Sequence, residues 1–318
     1  MNDISLASDN GLEIIAGRVQ EYIDKAKAEN TLKAYRSDWA DFAGWCGSHS
    51  LQPIPAFPET VAAYLADLAG RGYKAATIER RLISISKAHT SAGHDDVTKT
   101  ALVKEVWAGI KRTIGTAQEG KAPAVTADIK AMVSALPDNL LGVRDQALLL
   151  VGFAGAFRRS ELVNIDVEDL EFKREGIVVT LRHSKTDQEG KGRKVGIPYG
   201  SYCDTCPVRS LQTWLEQSGI TSGPVFRSIN RHGNLQEGRL SDKAVALIVK
   251  RCAEAAGLDA SQYSGHSLRA GLATSAAMNG VSERAIMNQT GHHSQAMVRR
   301  YIREGSLFND NAAAGVGL

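Results

Sequence analysis

Along the first third of the chain, apolar side chains return every three to four positions. In "NTLKAYRSDWADFAGWC" the stripe is Leu32, Tyr35, Trp39, Phe42 and Trp45. In "KAATIERRLISISKAH" it is Ile78, Leu82 and Ile85, and in "ALVKEVWAGIKRTIG" it is Val103, Val106, Trp107, Ile110 and Ile114. This spacing predicts amphipathic helices that bury one face, with Asn30 or Thr31 placed to cap the first. Lys33, Arg36, Lys74, Arg80, Arg81 and Lys87 lie largely off the stripes. Residues 1–114 are therefore expected to form a helical domain with cationic outer faces. Such faces are ordinarily just solvated unless the rest of the chain handles a polyanion.

The pattern then breaks. Residues 115–125, within "GTAQEGKAPAVT", are polar and rich in Gly and Ala, with Pro123, and are expected to be a linker. Thr126 is expected to cap the next helix. The stretch "LLGVRDQALLLVGFAGAF" (140–157) is apolar nearly all round and predicts a buried helix. Then the period changes. "GIVVTLRHSK" (176–185) and "RKVGIPY" (193–199) flank the polar "TDQEGKG", which predicts a two- or three-stranded antiparallel sheet. Helical patterns follow at 207–217, 242–256, 267–279, 281–289 and 294–303, with Gly257 and Gly280 where helix ends favour left-handed residues. The expected fold is mainly α with a small antiparallel β-sheet, the second domain (126–318) ending in an Ala/Gly-rich tail.

Composition narrows this picture only a little. Hydrophobic residues make up 43% of the 318, enough for two ordinary domain cores. No apolar run is long enough to span a membrane, and the first residues lack a secretory pattern, so a cytoplasmic protein is expected. The formal charge of +3 neither requires nor excludes nucleic acid. Cys203 and Cys206 form one CxxC, but Cys46 and Cys252 stand alone in sequence. A structural zinc usually needs two such pairs. No metal site is expected, only reduced thiols in a turn ahead of the helix that Pro207 opens.

Candidate chemistry lies in four short stretches. In "FRRSEL", Arg158 and Glu161 are three apart and share a helix face. An arginine at the end of an apolar helix needs an anionic partner, and Glu161 can orient it. In "SGHSLRAG", His266 and Arg269 are also three apart, just inside a helix start that favours anions. Lys185 stands where the first strand meets the hairpin tip. "TGHHSQAMVRRYIR" places His292 nine residues before Tyr301. Each piece has an ordinary reading as a surface residue or structural ion pair.

Taken in order, Arg158, Lys185, His266-x-x-Arg269, His292 and Tyr301 resemble the motif set of the tyrosine site-specific recombinases, the phage integrase family. The resemblance covers nearly the whole chain, and the helical first part and the end, "HHSQAMVRRYIREGSLFND", look Cre-like. It implies a helical core-binding domain followed by an α+β catalytic domain. It implies DNA cleavage and rejoining through a 3′-phosphotyrosyl link, without metal, ATP or other cofactor. Arg158 and Arg269 would clamp the phosphate with Glu161 in support, His266 would act as base, Lys185 as acid, and His292 as phosphate partner. Arg159 and His293 adjoin the chosen residues. The family's Arg-x-x-Glu spacing favours Arg158, and the position directly after Gly291 favours His292. The implied partner is double-stranded DNA with a partly palindromic site, bound by a homotetramer in a bacterial or mobile-element setting. Lys33, Arg36, Lys74, Arg80, Arg81 and Lys87 become DNA-binding candidates, and Leu307 and Phe308 candidates for contact with a neighbouring protomer. A binding protein without catalysis and a relaxing enzyme of the type IB topoisomerase kind are the rival expectations.

Overall fold

Where apolar stripes recur at helical spacing, helices form. The computed structural model describes residues 29–117, 120–182, 192–292 and 294–305, with Arg18 and Tyr22 singly. Side chains at 303–305 are not described. Two compact units divide the chain, Met1–Glu119 and Gly120–Leu318.

In the first unit, α1 (Glu29–Ser48), α2 (Pro58–Gly70), α3 (Ala75–Ser91) and α4 (Ala101–Ile114) pack about one core. Pro58 opens α2, where its missing N–H costs nothing. Phe42, Tyr64, Leu65, Leu68, Ile78, Ile85 and Val103 are fully buried. The expected stripe of α1 is rotated slightly: Phe42 and Cys46 are buried, while Trp39 and Trp45 are partly covered. Asp38 and Asp41 meet Arg80, Arg81 and Tyr64 beside this core.

The second unit begins with an extended segment that is part of the fold. The Ala122 N–H donates to Gln262 O (2.8 Å) and the Ala124 N–H to Ser267 O (2.9 Å), and Ala124 is fully buried. The linker expected at 115–125 therefore divides, its last residues lying against unit two. A Cβ at Gly271 would stand 1.8 Å from Ala124 O, so only glycine lets this segment pass. Thr126 opens α5 (Thr126–Ser134) instead of capping it; the cap position is Val125, whose N–H donates to the Asp128 carboxylate.

The apolar α6 (Leu140–Ala154) is buried as its composition requires, and Asn139 caps it. The short α7 (Arg159–Val163) follows. Strands β1 (Leu170–Lys173), β2 (Gly176–Leu181) and β3 (Arg193–Pro198) form an antiparallel sheet in that order. Alternation along β3 buries Val195 and Ile197. Then come α8 (Pro207–Ser218), a second antiparallel pair β4 (Arg227–Ile229) and β5 (Leu235–Arg239), and α9 (Asp242–Ala255). The β4–β5 pair was not expected. The chain closes with α10 (Ser267–Met278), α11 (Glu283–Thr290) and α12 (Gln295–Gly305). Gly257 and Gly280 adopt φ of 74° and 70°, as the helix-end reading requires. Among the described residues no helix is long and apolar enough to cross a membrane.

Candidate active site

The end of α6 builds the first wall. Gly155 ends the helix, Ala156 takes a φ of 49°, and Phe157 is buried. A non-glycine residue seldom adopts that backbone angle. The turn aims the Ala156 carbonyl inward, where it accepts a hydrogen bond from Arg269 Nη1 (2.7 Å). Arg158 follows at the start of α7. Its Nη1 donates to Glu161 Oε1 (2.6 Å), and its backbone N–H donates to Glu161 Oε2 (2.9 Å). Glu161 is buried and so orients Arg158 from within the fold. Arg159 turns elsewhere, reaching Asp242 at 3.9 Å and lying along Gly265.

The start of α10 supplies the second wall. Ser264 Oγ accepts the His266 N–H, and Ser267 Oγ accepts the Ser264 N–H, so the two hydroxyls set this turn. Arg269 is only 1% exposed, and its Nη2 has no hydrogen-bond partner among the described residues. Lost hydration, then Arg158, brings the Arg269 guanidinium down to about 10. His266 lies 35 positions before Tyr301 in sequence, yet its Nε2 is 3.0 Å from Tyr301 Oη.

The turn between α11 and α12 supplies the third wall. Gly291 ends α11 with φ 64°, and a Cβ there would meet the Arg193 guanidinium at 2.8 Å. His292 is buried, and its ring centre lies 6.0 Å from that of Tyr301. Thr290 Oγ1 stands 2.7 Å from Ile286 O and 2.8 Å from His292 Nδ1, so it fixes the orientation of the imidazole ring. Tyr301 sits on α12 against the small cluster of Ala273, Ala277, Ile286 and Val298.

One residue that the sequence did not single out joins this group. Arg193, at the start of β3, places Nη2 3.9 Å from Glu161 Oε2 and donates from Nη1 to Gln289 O (3.2 Å). Loss of hydration lowers its affinity for its proton; Glu161 opposes this and Arg158 adds to it. The sequence reading placed it at the start of a strand and gave it no role. The signal was present: Arg193 shares the period-two face of Val195 and Ile197, which points to the core.

The electrostatics follow. Arg158, Arg193 and Arg269 surround a single carboxylate, Glu161. Burying an excess of cations is costly unless an anion joins them. The same excess acts on the histidines. Desolvation, then Arg269 and Arg158, holds the His292 imidazolium down at about 3. Desolvation followed by Arg269, Arg158, Arg159 and Arg300 lowers His266 below its ordinary value. Both rings are neutral at neutral pH. The site is thus a cationic cleft with a neutral imidazole touching a phenol. Lys185, Leu307 and Phe308 lie outside the described residues, as does His293.

Comparisons with known proteins show the family. Residues 125–306 match the phage integrase family, and residues 19–93 match the phage integrase N-terminal SAM-like domain. The chain is 44% identical over 304 residues to an integrase/recombinase xerD homolog of Selenomonas ruminantium, covering 94% of this chain and 89% of that protein. The chain belongs to the phage integrase family. It is a tyrosine recombinase, an enzyme that cleaves and rejoins DNA in site-specific recombination. This recombinase is also 26% identical over 298 residues to recombinase cre of Escherichia phage P1, covering 88% of this chain and 85% of that one. Its fold is similar to that of the XerH site-specific recombinase bound to its palindromic difH substrate (TM-score 0.61, 16% identity, 81% of this chain and 72% of that one). It is likewise similar to a lambda integrase dimer bound to a COC′ core site (TM-score 0.59, 17% identity, 90% and 75%).

In the first unit the cationic candidates separate by burial. Lys33 is exposed and pairs with Glu29 at 2.7 Å. Arg36 and Lys74 are exposed, and Lys87 is half-buried with its ammonium 5.9 Å from the Tyr35 ring centre. Arg80 is exposed but pairs with Asp38 at 3.0 Å. Arg81 corrects the expectation of an exposed cation. It is buried, donates to Asp41 and to Tyr64 Oη (2.9 Å), and stacks over Tyr73. Its position explains this: it lies three residues after Ile78 and four before Ile85, on the core stripe itself. The four cysteines are free thiols; the buried Cys206 Sγ accepts the Gly200 N–H, and Cys203 is exposed.

Proposed function

We propose that this recombinase cleaves duplex DNA by direct attack of Tyr301 on a backbone phosphate. The observation that carries this reading is the 3.0 Å approach of His266 Nε2 to Tyr301 Oη, beside buried guanidiniums with unmet hydrogen-bonding capacity. A tyrosine ordinarily loses its proton near pH ~10 and needs a base. Neutral His266 takes that proton as the Tyr301 oxygen bonds to phosphorus. The bond from phosphorus to the 5′-oxygen breaks, and Lys185 gives the departing oxygen a proton. The products are a 3′-phosphotyrosyl link and a free 5′-hydroxyl. Reversal with the 5′-hydroxyl of another strand joins the exchanged strands, and the phosphotyrosyl bond conserves the energy, so no ATP is needed.

Arg158 and Arg269 clamp the nonbridging oxygens, where negative charge grows in the transition state. Glu161 holds Arg158 for this task. These guanidiniums supply the positive charge that a divalent ion supplies in other phosphoryl-transfer sites. His292, held at Nδ1 by Thr290, offers its Nε2 side to the phosphate as a hydrogen-bond donor.

The domains on this reading are 1–114, which grips DNA, a linker 115–125, and the catalytic part 126–318. Lys33, Arg36, Lys74, Arg80 and Lys87 contact the DNA backbone. Four protomers pair two partly palindromic sites, and Leu307 and Phe308 of the tail dock on a neighbour. The test of the chemistry is the polarity of the break. Wild-type protein incubated in EDTA with a nicked duplex should block the 3′ end of the cut strand. The 5′ end should be a substrate for polynucleotide kinase without prior phosphatase. A protein-blocked 5′ end, or an adduct peptide lacking Tyr301, contradicts the reading.

A further inference from the structure

Arg193 is held by more of the site than any role in the hairpin explains. It begins β3, paired across the sheet with Leu181 at the end of β2. Its guanidinium leaves the sheet and enters the cleft wall, where it touches parts of two other elements. On α7, Glu161 Oε2 lies 3.9 Å from Nη2. On α11, the carbonyl of Gln289 accepts from Nη1. The backbone of Gly291 lies flat against the guanidinium, closely enough that an added Cβ would stand 2.8 Å from Cζ. Gln289 is itself fastened, its side-chain amide donating to Ala154 O (2.7 Å) and Gly196 O (3.1 Å). The turn that presents His292 is thus tied to the end of α6 and to β3, with Arg193 at the crossing.

Arg193 Nε and Nη2 are buried and have no hydrogen-bond partner among the described residues. Because both atoms are closed off from solvent, they are not placed to take a DNA phosphate directly. Nη2 instead faces the one carboxylate that orients Arg158. When a phosphate engages the outer N–H groups of Arg158, Arg193 is the second cation beside Glu161 that keeps its carboxylate in place.

We propose that Arg193 is a positioning residue of the active site. Its buried fork holds the Glu161–Arg158 pair and the Gly291–His292 turn in one arrangement, so that phosphate ligands from two separate elements meet the same phosphate. This rests on the reading of Tyr301 as the nucleophile and Arg158 as a phosphate ligand. A lysine keeps the charge but not the planar fork that reaches two partners at once. A methionine fills the space and offers neither.

The test uses the full-length protein and a nicked duplex carrying the sequence that wild type selects from random DNA. Covalent adduct formation is followed in single turnover at saturating DNA, alongside binding and thermal unfolding. Arg193→Met should slow adduct formation by about 10²-fold, the usual consequence of small misplacement of catalytic groups, with binding changed by less than threefold. Arg193→Lys should recover part of the rate. If Arg193 acts through Glu161, Arg193→Met combined with Glu161→Gln should be no slower than the slower single variant. The defect should also shrink on a duplex with a neutral methylphosphonate at the scissile position, where clamping by Arg158 counts for less. A merely structural residue would not produce that substrate-dependent relief. Adduct formation at the wild-type rate in Arg193→Met, or multiplied defects in the double variant, overturns the proposal while leaving the nucleophile assignment standing. Absence of any adduct from wild-type protein overturns both. If Arg193→Met fails to fold, Arg193→Lys decides: wild-type rates on both duplexes count against the proposal.

Discussion

His292 shows how much a single residue's surroundings alter its chemistry. An isolated histidine holds a proton near pH 6.5; desolvation and the surrounding guanidiniums hold His292 at about 3. The unfolded chain therefore binds a proton that the folded chain refuses. By linkage, stability is complete above pH 6.5 and falls as pH drops from there toward the folded value, by ~1.4 kcal/mol for each pH unit crossed. His266, also lowered, acts in the same direction. Replacing His292 by Gln should make the protein less sensitive to acid between about pH 6.5 and pH 4, measured as denaturant midpoint against pH. Identical slopes for the two proteins would show that His292 is not held neutral. The residue types of this site were legible in the sequence because their spacing is local: Arg158 with Glu161, His266 with Arg269. The contact between His266 and Tyr301 was not, because it joins helices separated by two turns whose geometry no local pattern specifies. Arg193 was missed for a related reason, since a charge beside a polar hairpin is ordinarily solvated.

At the scale of elements, helices with a clear apolar stripe were legible, and so was the β2–β3 pairing. The pair β4–β5 was not. Arg227–Ile229 spans three residues, and Leu235–Arg239 has one half-buried apolar side chain, so neither carries a period-two signal. Arg81 makes the opposite point, because its spacing from Ile78 and Ile85 marked it for burial despite its charge. Arg81→Met should cost about 3–5 kcal/mol, as breaking a buried pair does. Arg80→Gln should cost less, because Arg81 still faces the buried Asp38, while weakening DNA binding. Chemical denaturation and DNA titration of the two variants separate these effects; equal stability losses would contradict the assignment. The extended segment before α5 offers another check. Gly271→Ala would drive a Cβ against Ala124 O at 1.8 Å. The expected loss is about 1–3 kcal/mol, typical of overpacking, and an unchanged melting temperature would mean the segment is not held there.

For the whole molecule, each unit matches its own family pattern, and the fold of recombinases solved on DNA is shared over most of the chain. Assembly is where the tail enters. Removing residues 306–318 should leave cleavage of a nicked duplex intact but abolish strand exchange between two duplexes, read on a gel after protease treatment. Normal exchange by the truncated protein would sink the docking role of Leu307 and Phe308. All of this depends on Tyr301 being the nucleophile. The most direct measurement incubates wild type and Tyr301→Phe, each in EDTA, with randomised nicked duplexes, denatures them in SDS, and sequences the DNA that stays attached. The account predicts a partly palindromic consensus on wild-type protein and no attached DNA on the variant. Covalent DNA on Tyr301→Phe, or none on a wild-type protein that binds the duplexes, would contradict it.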